Sequence, residues 1–163
     1  MENKKTNYIW GLLRIVMGWI FLWAFIDKMF GLGFTTVPDK AWLVGGSPTF
    51  GFLHFAAYGP FESLFNSMAG SVIVDWLFML GLLLVGLALA LGILTKLATF
   101  FGSVMLLLMW SACLPPEHNP LIDEHIIYII ILIGVVMSRA GQYIGLGNRW
   151  SNTKLVKKFT IFE

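Results

Sequence analysis

Four long apolar stretches, separated by polar or turn-forming residues, dominate the pattern along this chain. They run approximately over Tyr8–Phe30, Val72–Leu94, Leu97–Leu114 and Pro120–Gly141. An α-helix needs roughly 20 apolar residues to cross about 30 Å of hydrocarbon, and most of the stretches come close to that length. The third is short unless it begins at Thr95. The pattern therefore predicts an all-α membrane protein, a four-transmembrane-helix bundle in a single domain.

Basic residues lie almost entirely on one side of these predicted helices. Four crossings place the N-terminus, the turn between the second and third helices and the tail of residues 142–163 on the same side, which carries 9 of the 11 lysines and arginines. The other side has Lys28 and Lys40. The positive-inside bias then predicts a multi-pass protein of the cell membrane with both termini in the cytoplasm. Residues 31–71 and 115–124 are expected on the outer face.

Composition agrees with the membrane interpretation and narrows the chemistry. The chain is 58% hydrophobic and 12% charged, and its mean hydropathy is +0.79. A net charge of +2 does not point to nucleic acid as a partner. The single cysteine, Cys113, excludes an intrachain disulfide and a CxxC redox pair. The basic tail is expected to contact anionic headgroups of the lipid bilayer.

The segment Gly31–Ser71, between the first two predicted helices, is too long and too apolar to be an ordinary loop. It has eight aromatic residues: Phe34, Trp42, Phe50, Phe52, Phe55, Tyr58, Phe61 and Phe65. These rings must be buried against the bundle or in the membrane interface. Gly45, Gly46 and Pro48 favour a sharp turn near the middle, with short helices on either side. Two interpretations stay open, an amphipathic lid that closes the bundle and a re-entrant loop that contacts a ligand.

A stripe of polar residues leads into the fourth predicted helix. Asp123 and Glu124 are expected in its first turn, near the positive end of the helix dipole. His125 follows, and Tyr128 lies one turn deeper on the same face. The histidine would either hydrogen-bond a loop carbonyl or serve a quinone, which needs an apolar slot, donors to its carbonyls and a route for protons.

Three charged residues in the first predicted helix need partners. Arg14 lies inside the helix, where it would either reach back to the cytoplasmic headgroups or face the bundle and bind an acid or a ligand oxygen. Asp27 and Lys28 lie at the outer end, as interfacial charges or as ligand contacts. Asp27 is about 20 Å along the axis from Arg14, so the two cannot pair within the helix.

Metal and haem sites are disfavoured. Several potential ligands fall on the outer side: His54, Cys113, Glu117, His118, Asp123 and His125. Their Cys-x4-His-x6-His spacing is not a standard zinc spacing. No metal cofactor is therefore predicted.

Three stretches of the sequence together resemble the DoxX/DoxD membrane family. They are Leu13–Lys28 in the first helix, Trp42–Thr49 in the outer segment, and Asn119-Pro120 with Asp123–Tyr128 at the start of the last helix. The resemblance implies a four-helix membrane bundle. DoxD proteins are the large membrane subunit of thiosulfate:quinone oxidoreductase, which oxidises thiosulfate to tetrathionate outside the membrane, reduces quinone and has a small partner subunit.

The resulting hypothesis is a quinone-reactive membrane subunit of a sulfur-compound:quinone oxidoreductase. Its partners would be quinone, thiosulfate or another small sulfur anion, and a small partner subunit or a second copy of the chain. The candidate catalytic residues are His125, Asp123, Tyr128 and Cys113, and the candidate cofactor-binding residues are Arg14, Asp27, Lys28, Trp42 and Glu124. Two alternatives remain: a non-enzymatic anchor or assembly partner of a redox complex, and a small-solute or lipid-binding transport component.

Overall fold

The computed structural model describes residues 4–162, which form helices and connecting turns. The long helices are α1 (Lys4–Phe30), α3 (Val72–Leu91), α4 (Thr95–Ala112) and α5 (Glu124–Met137), and the short ones are α2 (Glu62–Met68), α6 (Gly147–Ser151) and α7 (Lys154–Lys158). The described residues contain no β-strand, only an isolated bridge between Tyr58 and Cys113. The predicted all-α class is confirmed.

Three of the helices, α1, α3 and α4, are long and apolar enough to cross a membrane. As its length required, α4 begins at Thr95. The fourth predicted span is shorter than expected, because α5 has 14 residues and a rise of 1.5 Å per residue makes it only about 21 Å long. It begins at Glu124 because the Asp123 carboxylate accepts hydrogen bonds from the backbone N–H groups of His125 and Ile126 and so caps the helix.

The four long helices share one hydrophobic core. Its buried members include Met17 and Phe21 of α1, Leu89 of α3, Leu106 of α4 and Leu132 of α5. In sequence order each long helix packs on the next, and α5 packs back on α1. Residues 31–71 lie at one end of this arrangement, called the cap end below. The opposite end, with Lys96 and Arg139, is called the basic end.

The α1–α3 contact is a backbone-to-backbone approach. A Cβ atom added to Gly18 would lie 2.7 Å from the backbone nitrogen of Ala90 and 3.0 Å from the carbonyl oxygen of Gly86. Only glycine permits this separation, and small residues of this kind are enriched where membrane helices pack.

Large apolar side chains also cover the outside of the helices. Leu12, Trp19, Leu77, Leu84 and Ile130 all face outward. A continuous apolar surface of this kind is unusual for a water-soluble monomer. It is compatible with contact to a lipid bilayer.

The segment of residues 31–71 forms short helices on both sides of its central turn, as predicted. Before the turn are 3₁₀ helices Pro38–Lys40 and Trp42–Val44, and after it are a π-helical turn Phe52–Ala56, a 3₁₀ helix Gly59–Phe61 and α2. We call residues 31–71 the cap.

The eight cap rings, which are expected to be buried against the bundle or in the membrane interface, are mostly not buried within the protein itself. Only Phe65 is buried, whereas the side chains of Phe34 and Phe55 are 70% and 75% exposed. One-turn helices are too short to enclose a ring on every side. For the outward rings, the membrane interface is the place of burial that remains.

Candidate functional site

Two buried carboxylates hold the cap on the bundle, and the first is Asp27. It lies near the C-terminal end of α1 and is 1% exposed. Its oxygens accept hydrogen bonds from the backbone N–H groups of Phe34 and Thr35, at 3.2 and 2.9 Å, and from the Thr35 hydroxyl at 2.6 Å. Asp27 thus anchors the start of the cap. Within the described residues, its carboxylate oxygens accept hydrogen bonds from the protein itself.

The second anchor is Asp75, in the first turn of α3, which the sequence analysis did not select. One of its oxygens accepts hydrogen bonds from the Ser47 hydroxyl at 2.9 Å, the Thr49 hydroxyl at 2.6 Å and the Thr49 backbone N–H at 3.2 Å. Beside this contact, the rings of Trp42 and Trp76 meet edge to face with centroids 4.7 Å apart. In the sequence, Asp75 could have been recognised as an acidic residue at the start of an apolar helix with no basic residue near it.

A third contact joins the cap to the end of α4. The Tyr58 backbone N–H donates to the Ala112 carbonyl at 2.9 Å, and the Tyr58 hydroxyl donates to the Pro115 carbonyl at 2.9 Å. The Cys113 thiol lies 3.5 Å from the Ala56 carbonyl oxygen. The cap is therefore attached to α1, α3 and α4, and it covers the space between them.

That covered space is an apolar pocket of about 280 Å³. The cap contributes Pro48, Thr49, Phe52, Leu53, Phe65 and Met68, α3 contributes Val74, Leu77 and Phe78, and α4 contributes Met105, Leu108 and Met109. Among the described residues that line the pocket, Lys28 of α1 is the one with a charge. Leu77 and Leu108 are also exposed on the outer surface of their helices. The pocket therefore adjoins the apolar exterior between α3 and α4.

Lys28 is half-buried at this pocket, and its charge is attracted by that of Asp27 without a direct contact. Across residues 4–162 its ammonium group makes no hydrogen bond and no ion pair. Asp27, its neighbour in sequence, directs its oxygens to the start of the cap. An ammonium group in an apolar pocket favours a ligand that brings an oxygen acceptor or a negative charge, because a buried charge without a partner is costly.

His125 and Asp123 form a close pair at the start of α5. The His125 Nδ1 atom lies 2.8 Å from an Asp123 carboxylate oxygen, and both side chains are largely buried. This contact lets the Asp123 carboxylate orient the imidazole ring of His125. Tyr128 packs against the main core. Neither His125 nor Tyr128 lines the apolar pocket.

Asp123, Glu124 and His125 also bring potential metal-ligating atoms within 4.8 Å of one another. All three come from consecutive residues at one helix start. The Asp123 carboxylate already accepts two backbone hydrogen bonds and contacts the imidazole. These contacts account for the cluster as a helix cap, so it supports no metal assignment.

Cys113 lies just beyond the end of α4, in surroundings that favour the neutral thiol. Burial raises the pKa of the Cys113 thiol, and the negative charges of Asp123 and Glu124 raise it further. The thiolate is the nucleophilic form of cysteine. A transient covalent adduct of a sulfur compound on Cys113 is therefore disfavoured at neutral pH.

Arg14 faces the bundle, and its side chain is fully buried. Its guanidinium donates hydrogen bonds to the carbonyl oxygens of Leu89 and Ile144, with longer contacts of 3.3 Å to Ala90 and 3.4 Å to Tyr143. The interpretation that it reaches the headgroups is wrong. Arg14 ties the end of α3 to the chain that follows α5.

The predicted site residues thus occupy separate places. Lys28 lines the apolar pocket, Trp42 packs beside an anchor of the cap, His125 and Asp123 pair at the start of α5, and Arg14 contacts carbonyls toward the basic end. The chain matches no protein-family model, no curated protein and no solved structure. The resemblance to the DoxX/DoxD family stays a prediction from its sequence motifs.

Proposed function

We propose that this chain is a multi-pass cell-membrane protein that binds quinone in the pocket beneath the cap. It would act as the quinone-reactive subunit of a sulfur-compound:quinone oxidoreductase of the DoxX/DoxD kind, most simply with thiosulfate as donor. In this proposal α5 completes a four-helix membrane bundle, both termini are cytoplasmic and the cap faces outward. The observation that supports the proposal is the apolar pocket beside the ammonium group of Lys28, which makes no hydrogen bond and no ion pair with residues 4–162.

The pocket suits a flat apolar ring with a long tail. Its volume of about 280 Å³ is near the lower end of the range for small-molecule sites, which is roughly 300–1,000 Å³. It can take a quinone ring but not the isoprenoid tail as well. Because Leu77 and Leu108 belong both to the pocket and to the outer surface, the tail would leave between α3 and α4 into lipid.

Lys28 would supply the polar contact that the quinone head needs. Its ammonium group would donate a hydrogen bond to one carbonyl oxygen. The same charge would stabilise the negative charge that develops on that oxygen during reduction. Oxidation of two thiosulfates to one tetrathionate releases two electrons, and a quinone takes up two electrons and two protons to become the quinol. In this proposal a partner subunit binds and oxidises the sulfur donor. The His125–Asp123 pair is a candidate for proton transfer at the outer surface.

The test is quinone retention and turnover in Lys28→Met. Methionine keeps an apolar chain of similar length and removes the ammonium group. Loss of one hydrogen bond to a charged group should weaken quinone binding by roughly ten- to 150-fold, the equivalent of about 1.5–3 kcal/mol. Lys40→Met is the matched control, because Lys40 is exposed in the cap and does not line the pocket.

Two measurements decide the outcome in membranes extracted with a mild detergent. The first is quinone content per protein, and the second is thiosulfate-dependent quinone reduction with co-purifying subunits retained. Wild type and Lys40→Met should both hold quinone, and Lys28→Met should lose most of it. Equal quinone content in all three proteins would remove Lys28 from the site, and no quinone in the wild type would refute the proposal.

A second candidate, a lipid-binding component, is favoured by one feature of the lining. Apart from Lys28 and Thr49 the lining is apolar, and the Thr49 hydroxyl donates to Asp75. A quinone's second carbonyl therefore has no free donor among the described lining residues, whereas a fatty acid needs only one cationic contact for its carboxylate. Fatty acid or phospholipid in the purified wild type, without quinone and without quinone reduction, would select this function.

A further inference from the structure

The pocket beneath the cap has few hydrogen-bond donors among its side chains. Of the described residues that line it, only Lys28 and Thr49 carry a side-chain N–H or O–H group. The Thr49 hydroxyl donates to the Asp75 carboxylate at 2.6 Å and is therefore occupied. Among the described lining residues, the ammonium group of Lys28 is the one side-chain donor that a ligand can use.

Aromatic rings and thioethers make up a large part of the remaining lining. They belong to the cap, to α3 and to α4, and they are Phe52, Phe65, Phe78, Met68, Met105 and Met109. Aromatic rings pair favourably with other aromatic rings, in offset or edge-to-face arrangements. Methionine sulfur also makes favourable contacts with aromatic rings. The lining therefore favours a ligand with a large aromatic surface.

The polar and apolar parts of the pocket lie at different depths. Lys28 lies near the end of α1 that the cap adjoins, and Thr49 belongs to the cap itself. On α3 and α4 the lining residues farthest from the cap are Phe78 and Met105. A Cβ atom added to Gly81 would lie 2.6 Å from the Met105 sulfur, so this thioether packs directly on the backbone of α3. The pocket thus has its donor near the cap and an apolar wall at its deep end.

Two classes of membrane quinone differ in the number of oxygen atoms on the head. A naphthoquinone has two carbonyl oxygens and a fused aromatic ring, whereas a dimethoxybenzoquinone has two carbonyl and two methoxy oxygens. One ammonium group can reach a carbonyl and at most the methoxy oxygen beside it. The dimethoxy head then keeps at least one more oxygen without a side-chain donor than the naphthoquinone does. Burial of an acceptor without a donor is unfavourable.

We infer that the pocket beneath the cap selects a naphthoquinone over a dimethoxybenzoquinone. Lys28 would donate to one carbonyl, and the fused ring would lie among the phenyl rings and thioethers. The inference rests on the proposed quinone function and specifies the class of quinone that this site takes.

The test measures binding and not turnover. The purified full chain in a mild detergent, with co-purified quinone exchanged out, is titrated with a naphthoquinone and with a dimethoxybenzoquinone that each carry one isoprenoid unit. Retained ligand is measured by mass spectrometry and corrected for partition into micelles without protein. We expect the naphthoquinone to bind about five- to 150-fold more tightly, the effect of one buried acceptor left without a donor.

Two variants test whether the number of donors causes this preference. Met105→Gln and Met109→Gln each add an amide donor to the lining at nearly the same side-chain size, and Met105→Leu and Met109→Leu are the matched controls without a donor. At least one glutamine variant should bind the dimethoxybenzoquinone about fivefold more tightly than wild type does, and the leucine variants should keep the wild-type preference. Circular dichroism checks that each variant is folded.

The outcomes separate the inference from the proposed function. Equal binding of the two quinones by wild type, or tighter binding of the dimethoxybenzoquinone, would overturn the inference and leave quinone binding intact. A preference that neither glutamine variant changes would also overturn it, because the number of donors would not be the cause. If wild type bound neither quinone, the proposed function would fail and the inference with it.

Discussion

Replacement of Arg14 by methionine should destabilise the protein, because it removes the donors from carbonyl groups that have no other hydrogen-bond donor among residues 4–162. The backbone N–H groups of Gly92 and Ile93 both donate to the Ala88 carbonyl, at 2.9 and 3.1 Å. The next carbonyl of α3, that of Leu89, is then satisfied by the Arg14 guanidinium. Helix ends leave such carbonyls without partners, and a cation there also complements the helix dipole.

The magnitude follows from the two principal hydrogen bonds, to Leu89 and Ile144. Polar contacts inside membrane proteins contribute on average about 0.6 kcal/mol each, with a maximum near about 1.7 kcal/mol. Two such contacts give about 1–3 kcal/mol. Methionine relieves the burial of a charge, but it leaves buried carbonyls without donors. We therefore expect the free energy of unfolding to fall by about 1–3 kcal/mol in Arg14→Met.

Arg14→Lys should lie between wild type and Arg14→Met. Lysine retains the charge but presents it at one nitrogen, so it cannot span two chain segments as the forked guanidinium does. Arg149→Met is the control, since Arg149 is exposed and the chemical change is the same.

The assay is reversible unfolding in mixed micelles, with sodium dodecyl sulfate as denaturant and helical circular dichroism as the signal. The expected order of stability is wild type equal to Arg149→Met, then Arg14→Lys, then Arg14→Met. If Arg14→Met were as stable as wild type, burial of the charge would cost as much as its hydrogen bonds contribute. If it lost bound quinone at unchanged stability, Arg14 would be a ligand contact and the structural argument would fail.

Three further changes test other parts of the fold. Asp75→Asn should loosen the cap, because a neutral amide is a weaker acceptor for the three donors of Ser47 and Thr49. Amide hydrogen exchange over residues 47–49 should therefore become faster. Unchanged protection of these amides would argue against Asp75 as an anchor of the cap. Alkylation of Cys113 by a charged maleimide should rise at higher pH than for an ordinary thiol, since its pKa is raised, and Asp123→Asn should move that rise to lower pH by removing a negative charge. A profile unmoved by Asp123→Asn would leave burial and the charge of Glu124 as the causes. Gly18→Ala should lower the free energy of unfolding by about 1–3 kcal/mol, because its Cβ atom would lie 2.7 Å from the Ala90 nitrogen. The measurement is the midpoint of thermal unfolding, which should fall. An unchanged midpoint would mean that α1 and α3 can move apart with little loss of stability.

Local sequence determined the helical segments of this protein. The apolar stretches place α1, α3 and α4 within a few residues, because hydrophobic length and turn residues act over short distances along the chain. The same reasoning predicted short helices on both sides of the central turn of the cap. It misplaced the start of the last helix, because one carboxylate, that of Asp123, caps the following turn and excludes residues 120–123 from the helix.

The contacts that make a site were decided by tertiary structure. Ser47 lies 28 residues from Asp75, and Arg14 lies 75 residues from Leu89, so no local pattern pairs them. Lys28 appeared from sequence as a charge at a helix end, and only the packing of the cap on α3 and α4 encloses an apolar pocket beside it. The position of an apolar helix depends on the local composition of the chain, so it can be predicted from the sequence. The partner of a buried polar group depends on which helix faces meet, and that is settled by packing in three dimensions.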